Sequence, residues 1–174
     1  MAIAPAKLRM GAASQMLLGS QDLGASKGGM ILKYNPKYMA LKCDQALAPV
    51  AAFKSEEECS IETTIYQVQM ALVSAAYGVF GLGDVTTTGG SPNKDQFTFG
   101  GRVYTPIFTF DATVPKNDNT TNNVVVHLNK VYSSKGASLN FARDKDTEYK
   151  VEFDCLADPS QAAGQQLGYV YEQY

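Results

Sequence analysis

A mainly β fold, an antiparallel sandwich or barrel carrying one α-helix on its flank, is what this sequence predicts. Three observations carry that expectation. Short apolar–polar alternations recur along most of the chain, a single segment near the middle changes to helical spacing, and the alternating strand–helix units of a parallel sheet are absent. The 174 residues fit one domain, 1–174, with no internal repeat or composition break to divide it.

The elements follow in order. Residues 1–20 have weak periodicity and many small side chains, and they read as an N-terminal arm. Met30, Leu32 and Tyr34 alternate with Ile31 and Lys33 until Asn35-Pro36; Met39, Leu41 and Cys43 alternate with Ala40, Lys42 and Asp44. The two runs predict a hairpin turning at Asn35-Pro36-Lys37. Residues 44–60 then read as a long connection, with Pro49 and the run Glu56, Glu57, Glu58. Its first half is too apolar to lie in water, so the loop is expected to fold against something outside the domain.

Ile61, Thr63 and Ile65 predict a strand. From Tyr66 the period changes: Val68, Leu72, Ala76 and Val79 share one face, predicting a helix over 66–79 that packs on a sheet. Phe97 and Phe99 alternate before a turn at Gly100-Gly101. A strand is expected over 103–110, with Pro106 confining it to an edge or a bulge. The Asn, Asp and Thr of 116–123 predict a mobile loop, and 124–132 a β-branched strand. Residues 139–142 and 148–155 predict a final hairpin around Arg143–Asp146. Within it Glu148, Lys150, Glu152 and Asp154 occupy one face, and Tyr149, Val151, Phe153 and Cys155 the other.

Composition narrows the function classes. A hydrophobic fraction of 45% excludes wholesale disorder, and a net charge of −2 disfavours a dedicated nucleic-acid binder. Cys43, Cys59 and Cys155 match no zinc or redox spacing and read as reduced, buried small hydrophobes. Lys7 and Arg9 precede Met16-Leu17-Leu18, but the polar Gly11–Gln15 stretch argues against a signal peptide, so a soluble cytosolic product is expected.

The catalytic motifs fail on context. Gly24-Ala25-Ser26-Lys27-Gly28 matches a nucleophile-elbow string, yet that chemistry needs a strand-to-helix turn and here a strand follows. His127, the single histidine, shares an alternation with Val125 and Val131 and reads as a packed or edge residue. Lys27-Gly28-Gly29 lacks the Gly-Lys-Ser/Thr and the helix of a phosphate loop. Asp144, Asp146 and Glu148 lack the glycine and terminal glutamate of a calcium loop. No catalytic, cofactor-binding or metal site is expected, and an esterase-like Ser26–His127 pair is the weakest alternative.

In order and spacing the chain resembles the major tail tube proteins of long-tailed bacteriophages. The residues that carry the resemblance are Asp22-Leu23-Gly24-Ala25 before Gly28-Gly29 and a strand, and Asp44-Gln45 after the second strand. The strand 60–65 feeding a helix, Arg143, and Leu156-Ala157-Asp158-Pro159 after the last strand complete it. The resemblance implies a homo-hexamer whose sheets join into a β-barrel ring. Rings would stack head-to-tail into a virion tail conduit beside other tail proteins, with DNA passing through unbound and no membrane involved. It implies that 44–60 is the inter-ring loop, with Ala48, Pro49, Val50, Phe53, Glu56, Glu57 and Glu58 at the contact. Glu62, Glu148, Glu152 and Asp154 are the candidates for an acidic lumen, whose like charge would keep a duplex from sticking. A tail terminator or secretion-tube ring protein of the same fold, or a monomeric β-sandwich binding module, are the alternatives.

Overall fold

The computed structural model describes residues 15–24, 26–42, 48–66, 73, 86–90, 92–96, 98, 105–116, 119–136 and 148–173. Its elements are β1 (Gln15–Leu18), β2 (Gln21–Asp22), β3 (Ser26–Leu41), β4 (Ala51–Ile65), β5 (Thr86–Thr88), β6 (Lys94–Gln96), β7 (Phe108–Lys116), β8 (Asn119–Ser133), β9 (Tyr149–Cys155) and β10 (Gly168–Glu172). The chain is mainly β and every pairing is antiparallel. One sheet runs β2-β1-β7-β8-β9-β4-β3, with β10 beside β8, and β5 with β6 form a separate ribbon.

Two features bend this sheet. Strand β8 pairs with β7 along one edge and shares its other edge between β10, over Val124–Leu128, and β9, over Val131–Ser133. Strands β9, β4 and β3 therefore diverge from β10. The sheet also curls: Thr63 Oγ1 of β4 lies 3.8 Å from Met16 Sδ of β1. Four strand spacings would separate them by roughly 19 Å in a flat sheet. The concave side holds one core built from Met16, Leu18, Ile61, Ile65, Phe110, Leu128, Val131, Tyr149, Val151 and Phe153, joined by Leu23 and Val73. Each large side chain withdrawn from water there contributes about 1.5–3 kcal/mol.

The structure corrects several expectations. The segment 15–18 is a strand with Met16 and Leu18 fully buried, so the arm expected over 1–20 is part of the sheet from Gln15 to Leu18. Asn35-Pro36 does not turn the chain: β3 continues through it, because Pro36 pairs with Glu57 at an outer strand, where a missing N–H is tolerated. The 44–60 loop shrinks accordingly, since β4 begins at Ala51 and only the segment between Leu41 and Ala51 connects the hairpin. Pro106 lies ahead of β7, which carries Pro115 instead, and strand β8 begins at Asn119 inside the expected polar loop. Strand β10 has no counterpart in the sequence reading.

Val131 and His127 occupy opposite faces. The register slips by one residue between Phe108↔Val131 and Phe110↔Leu128, and this bulge resets the alternation. The helix expected over 66–79 lies outside the described residues apart from Tyr66 and a buried Val73, as do the segments 97, 99–104 and 137–147.

Candidate functional site: a projecting hairpin, its groove and a charged sheet face

Strands β3 and β4 pair from Ser26↔Ile65 to Leu41↔Ala51, and Val50 N donates to Leu41 O at 2.9 Å to close the ribbon. Strand β9 covers β4 only from Ser60 to Ile65. Beyond Cys59 the hairpin therefore projects as a two-stranded arm, roughly 26 Å long over Tyr34–Leu41 at ~3.3 Å per residue. Both of its faces are exposed, including Tyr38 (62%), Met39 (65%), Phe53 (59%), Leu41 and Val50. An isolated two-stranded hairpin is marginal in water. Large side chains are left in solvent along this ribbon, whereas those of the covered sheet are buried.

Polar groups shape the arm. The register slips between Lys37↔Glu56 and Tyr38↔Lys54, leaving Ser55 as an extra residue whose hydroxyl donates to Lys37 O at 3.2 Å. The three glutamates thereby divide. Glu56 and Glu58 flank Lys37 on the outer face, at 2.9 and 2.6 Å. Glu57 takes Lys54 at 2.7 Å on the other face, where the Tyr34 hydroxyl also donates to it. The Lys54 ammonium holds the Glu57 carboxyl below the ordinary glutamate range, and the glutamates push Lys37 and Lys54 upward. These are exposed pairs, screened by water, and they orient the arm more than they stabilise it.

The arm's inner face and the segment 156–170 enclose an open groove of about 660 Å³, lined by Leu32, Tyr34, Lys54, Leu156, Leu167 and Tyr169 among others. Its floor holds Cys59 and Cys155, both free thiols. The next step of the β4–β9 register sets the two thiols opposite each other. That juxtaposition lowers the proton affinity of Cys59, while the same juxtaposition and burial push Cys155 up. The far wall ends on Gly168, where a Cβ would stand 2.1 Å from His127 O, so only glycine lets β10 approach β8 there.

The convex face of β3, β4 and β9 carries the residues expected to be acidic. The structure brings Glu62, Glu152 and Asp154 together with lysines between them. Glu62, with its side chain only 11% exposed, is gripped by Lys33 at 2.6 Å and by Lys150. Lys135 holds Glu152 at 2.8 Å and lowers its carboxyl pKa, and Lys27 reaches Glu148 at 3.1 Å. Glu62 stands directly opposite Glu152, so the flanking lysines offset a cross-strand repulsion. The face is charge-compensated, a property that alternation within β9 alone could not reveal because, Lys150 apart, the cations come from β3 and the 134–136 turn.

The remaining predicted residues fall apart spatially. Ser26 sits at the start of β3 and is followed by a strand, while His127 is on β8, with β4 and β9 between them in the sheet. His127 pairs with Asp111 at 2.5 Å and stacks on Tyr169 with ring centroids 4.8 Å apart, an outer-face cluster that the sequence reading missed. Gly28 and Gly29, with φ of 76° and 78°, form a bulge in β3, and Thr63 donates to Gly29 O at 3.1 Å. Among the described residues no group of three His, Cys, Asp or Glu could hold a metal ion, and no helix is long and apolar enough to cross a membrane. No protein-family model and no curated protein matches this chain.

Proposed function

We propose that this chain is a structural subunit that assembles with copies of itself into hexameric rings, stacked as a conduit of the phage tail-tube kind. The observation that carries the reading is the projecting hairpin, whose apolar Tyr38, Met39, Leu41, Val50 and Phe53 lie in solvent in a single chain. A second copy covering the arm would bury that surface and supply what a two-stranded ribbon lacks. The outer edge of β3 supports the same reading. Among the described residues it pairs with no strand, and a long open edge is a template for another chain. Head-to-tail contacts of one surface on a different surface extend into filaments.

In this arrangement Ala48, Pro49, Val50 and Phe53 lie at the inter-ring contact. Glu56, Glu57 and Glu58, already paired within the arm, set its shape. The sheet face with Glu62, Glu148, Glu152 and Asp154 would give a lumen whose carboxylates are balanced by Lys27, Lys33, Lys135 and Lys150. Such a wall lets a duplex pass without a cationic surface to hold it.

Negative-stain microscopy and sedimentation velocity of the full chain test the reading: rings, tubes or hexamers are expected. Deleting Ala48–Phe53 removes no core residue and should leave folded subunits that form no tubes. A strictly monomeric boundary at high concentration, or tubes of normal length from the deletion variant, would overturn it. Replacing Glu148 and Glu152 by lysine should preserve rings while creating salt-sensitive DNA retention. The groove favours a second reading, a monomeric β-sandwich module holding an extended ligand, and the monomeric boundary is its signature.

A further inference from the structure

Cys59 and Cys155 stand out from every other buried nucleophile in the described chain because they are aligned with each other. Ser60 faces Asp154 across the β4–β9 ladder, so the next step of the same register sets Cys59 opposite Cys155. Both belong to the alternation that carries Ile61 and Phe153, so both sulfurs lie on the concave side. Directly opposed residues of an antiparallel pair have Cα atoms about 4.5–5.5 Å apart, within the span that a disulfide bridges. The groove opens onto both thiols, which line it side by side.

We propose that Cys59 and Cys155 form a dithiol site that a hydroperoxide entering the groove oxidises to a cross-strand disulfide at the root of the projecting hairpin. The surroundings suit the reaction. The neighbouring Cys155 thiol lowers the pKa of Cys59 and so favours the thiolate there, which is the form that attacks. Leu32, Leu128 and Leu156 line the approach without offering a competing nucleophile.

In the first step the Cys59 thiolate bonds to one peroxide oxygen and the O–O bond breaks. The departing alkoxide, or hydroxide when the oxidant is hydrogen peroxide, takes the proton that Cys59 released and leaves as an alcohol or water, with Cys59 now a sulfenic acid. In the second step Cys155 gives its proton to solvent and its sulfur bonds to Cys59 sulfur. The S–O bond breaks, and the hydroxide takes up that proton as water. The two sulfurs lose two electrons and the peroxide gains two. The product ties β4 to β9 one residue beyond their last backbone pair, at the point where the arm leaves the sheet. It requires no second chain, so it stands whether or not rings form.

The test uses the full chain carrying Cys43→Ser, which leaves these two thiols alone. The protein is treated with hydrogen peroxide, denatured, alkylated and weighed. Both cysteines are expected to be alkylated before treatment and neither after it. A proteolytic digest should then contain one linked peptide pair, which a reductant separates. Cys155→Ser should instead trap Cys59 as a sulfenic acid that a dimedone probe captures. Two alkylated cysteines after treatment, oxidation to sulfinic acid without a link, or a link joining two chains would each overturn the proposal.

Discussion

The two halves of strand β4 share one partner in β3 and differ in nearly everything else. From Ser60 to Ile65 the strand lies between β3 and β9, and Ile61 and Ile65 are lost to solvent. From Ala51 to Glu58 β3 is its sole partner among the described residues, and every position is exposed. Pairing with β3 runs through both halves with one bulge in each, at Gly28-Gly29 and at Ser55, and the covered half adds a second ladder with β9. What distinguishes them is cover: β9 and the core enclose one half, and among the described residues no strand but β3 lies beside the other. In the proposed assembly a second copy supplies the cover that the outer half lacks.

Mutation breaks or sharpens that contrast most directly. Ile61→Ala should cost about 2–5 kcal/mol in urea unfolding, because it leaves a cavity among fully buried neighbours. Phe53→Ala, eight residues earlier on the same strand, should stay within about 0.5 kcal/mol for the isolated chain. Equal losses at both positions would mean that the arm packs on its own domain. A Phe53→Ala effect that appears only at concentrations where copies associate would place the missing layer on a second chain.

The far wall of the groove gives the next effect. Gly168→Ala sets a Cβ 2.1 Å from His127 O, against backbone that cannot swing aside as a side chain would. The expected loss is about 2–3 kcal/mol, in the range of overpacked sites. Hydrogen exchange should locate it, with amides of Val124–Leu128 and β10 losing protection while β4 and β9 keep theirs. Uniform loss along all strands would contradict the separation of β10 from β9.

Alkali tests the covered half alone. Burial pushes the Tyr149 phenol up to about 12. A group whose folded pKa is raised contributes stability that is complete below its unfolded pKa of about 10. That contribution is lost as pH rises through the folded value. Stability should therefore fall between about pH 10 and 12 as the unfolded chain releases a proton that the native state keeps, and Tyr149→Phe should flatten the decline. An unchanged slope in the variant would show that the phenol reaches solvent.

The same division explains what the sequence disclosed. The β class and the faces of Tyr149, Val151 and Phe153 were legible because alternation against a single core leaves a period-two trace. The hairpin was misread at both ends. Asn35-Pro36 signals a turn only where the N–H is needed, and β3 is an outer strand that does without it. Glu56, Glu57 and Glu58 looked like loop because a strand exposed on both faces has no reason to alternate. The neutrality of the charged face was hidden for another reason: Lys33 meets Glu62 and Lys135 meets Glu152 through pairing between distant segments. The slip at Leu128–Val131 placed His127 against Asp111, a contact that parity counted across the bulge could not foresee.

The smallest effect belongs to the exposed half and follows its carboxylates. Lys54 holds Glu57 below the ordinary glutamate value. A lowered folded pKa contributes stability that is present above the unfolded value of about 4.3 and disappears as pH falls through the folded one. Acid below about pH 4 should loosen the arm before the core, since Glu57 has only the ribbon around it whereas Ile61–Ile65 remain covered by β9. Exchange rates corrected for their intrinsic pH dependence should rise over Phe53–Glu58 while those of Ile61–Ile65 stay unchanged. Lys54→Ala should return the Glu57 carboxyl to the ordinary range, and salt near 1 M, with a Debye length of about 3 Å, should shrink the shift without the mutation. If the shift survives both changes, the pairing of Lys54 with Glu57 is not its cause. If the arm then also keeps its protection in acid, a second layer covers it in the single chain, and the contrast between the two halves of β4 fails.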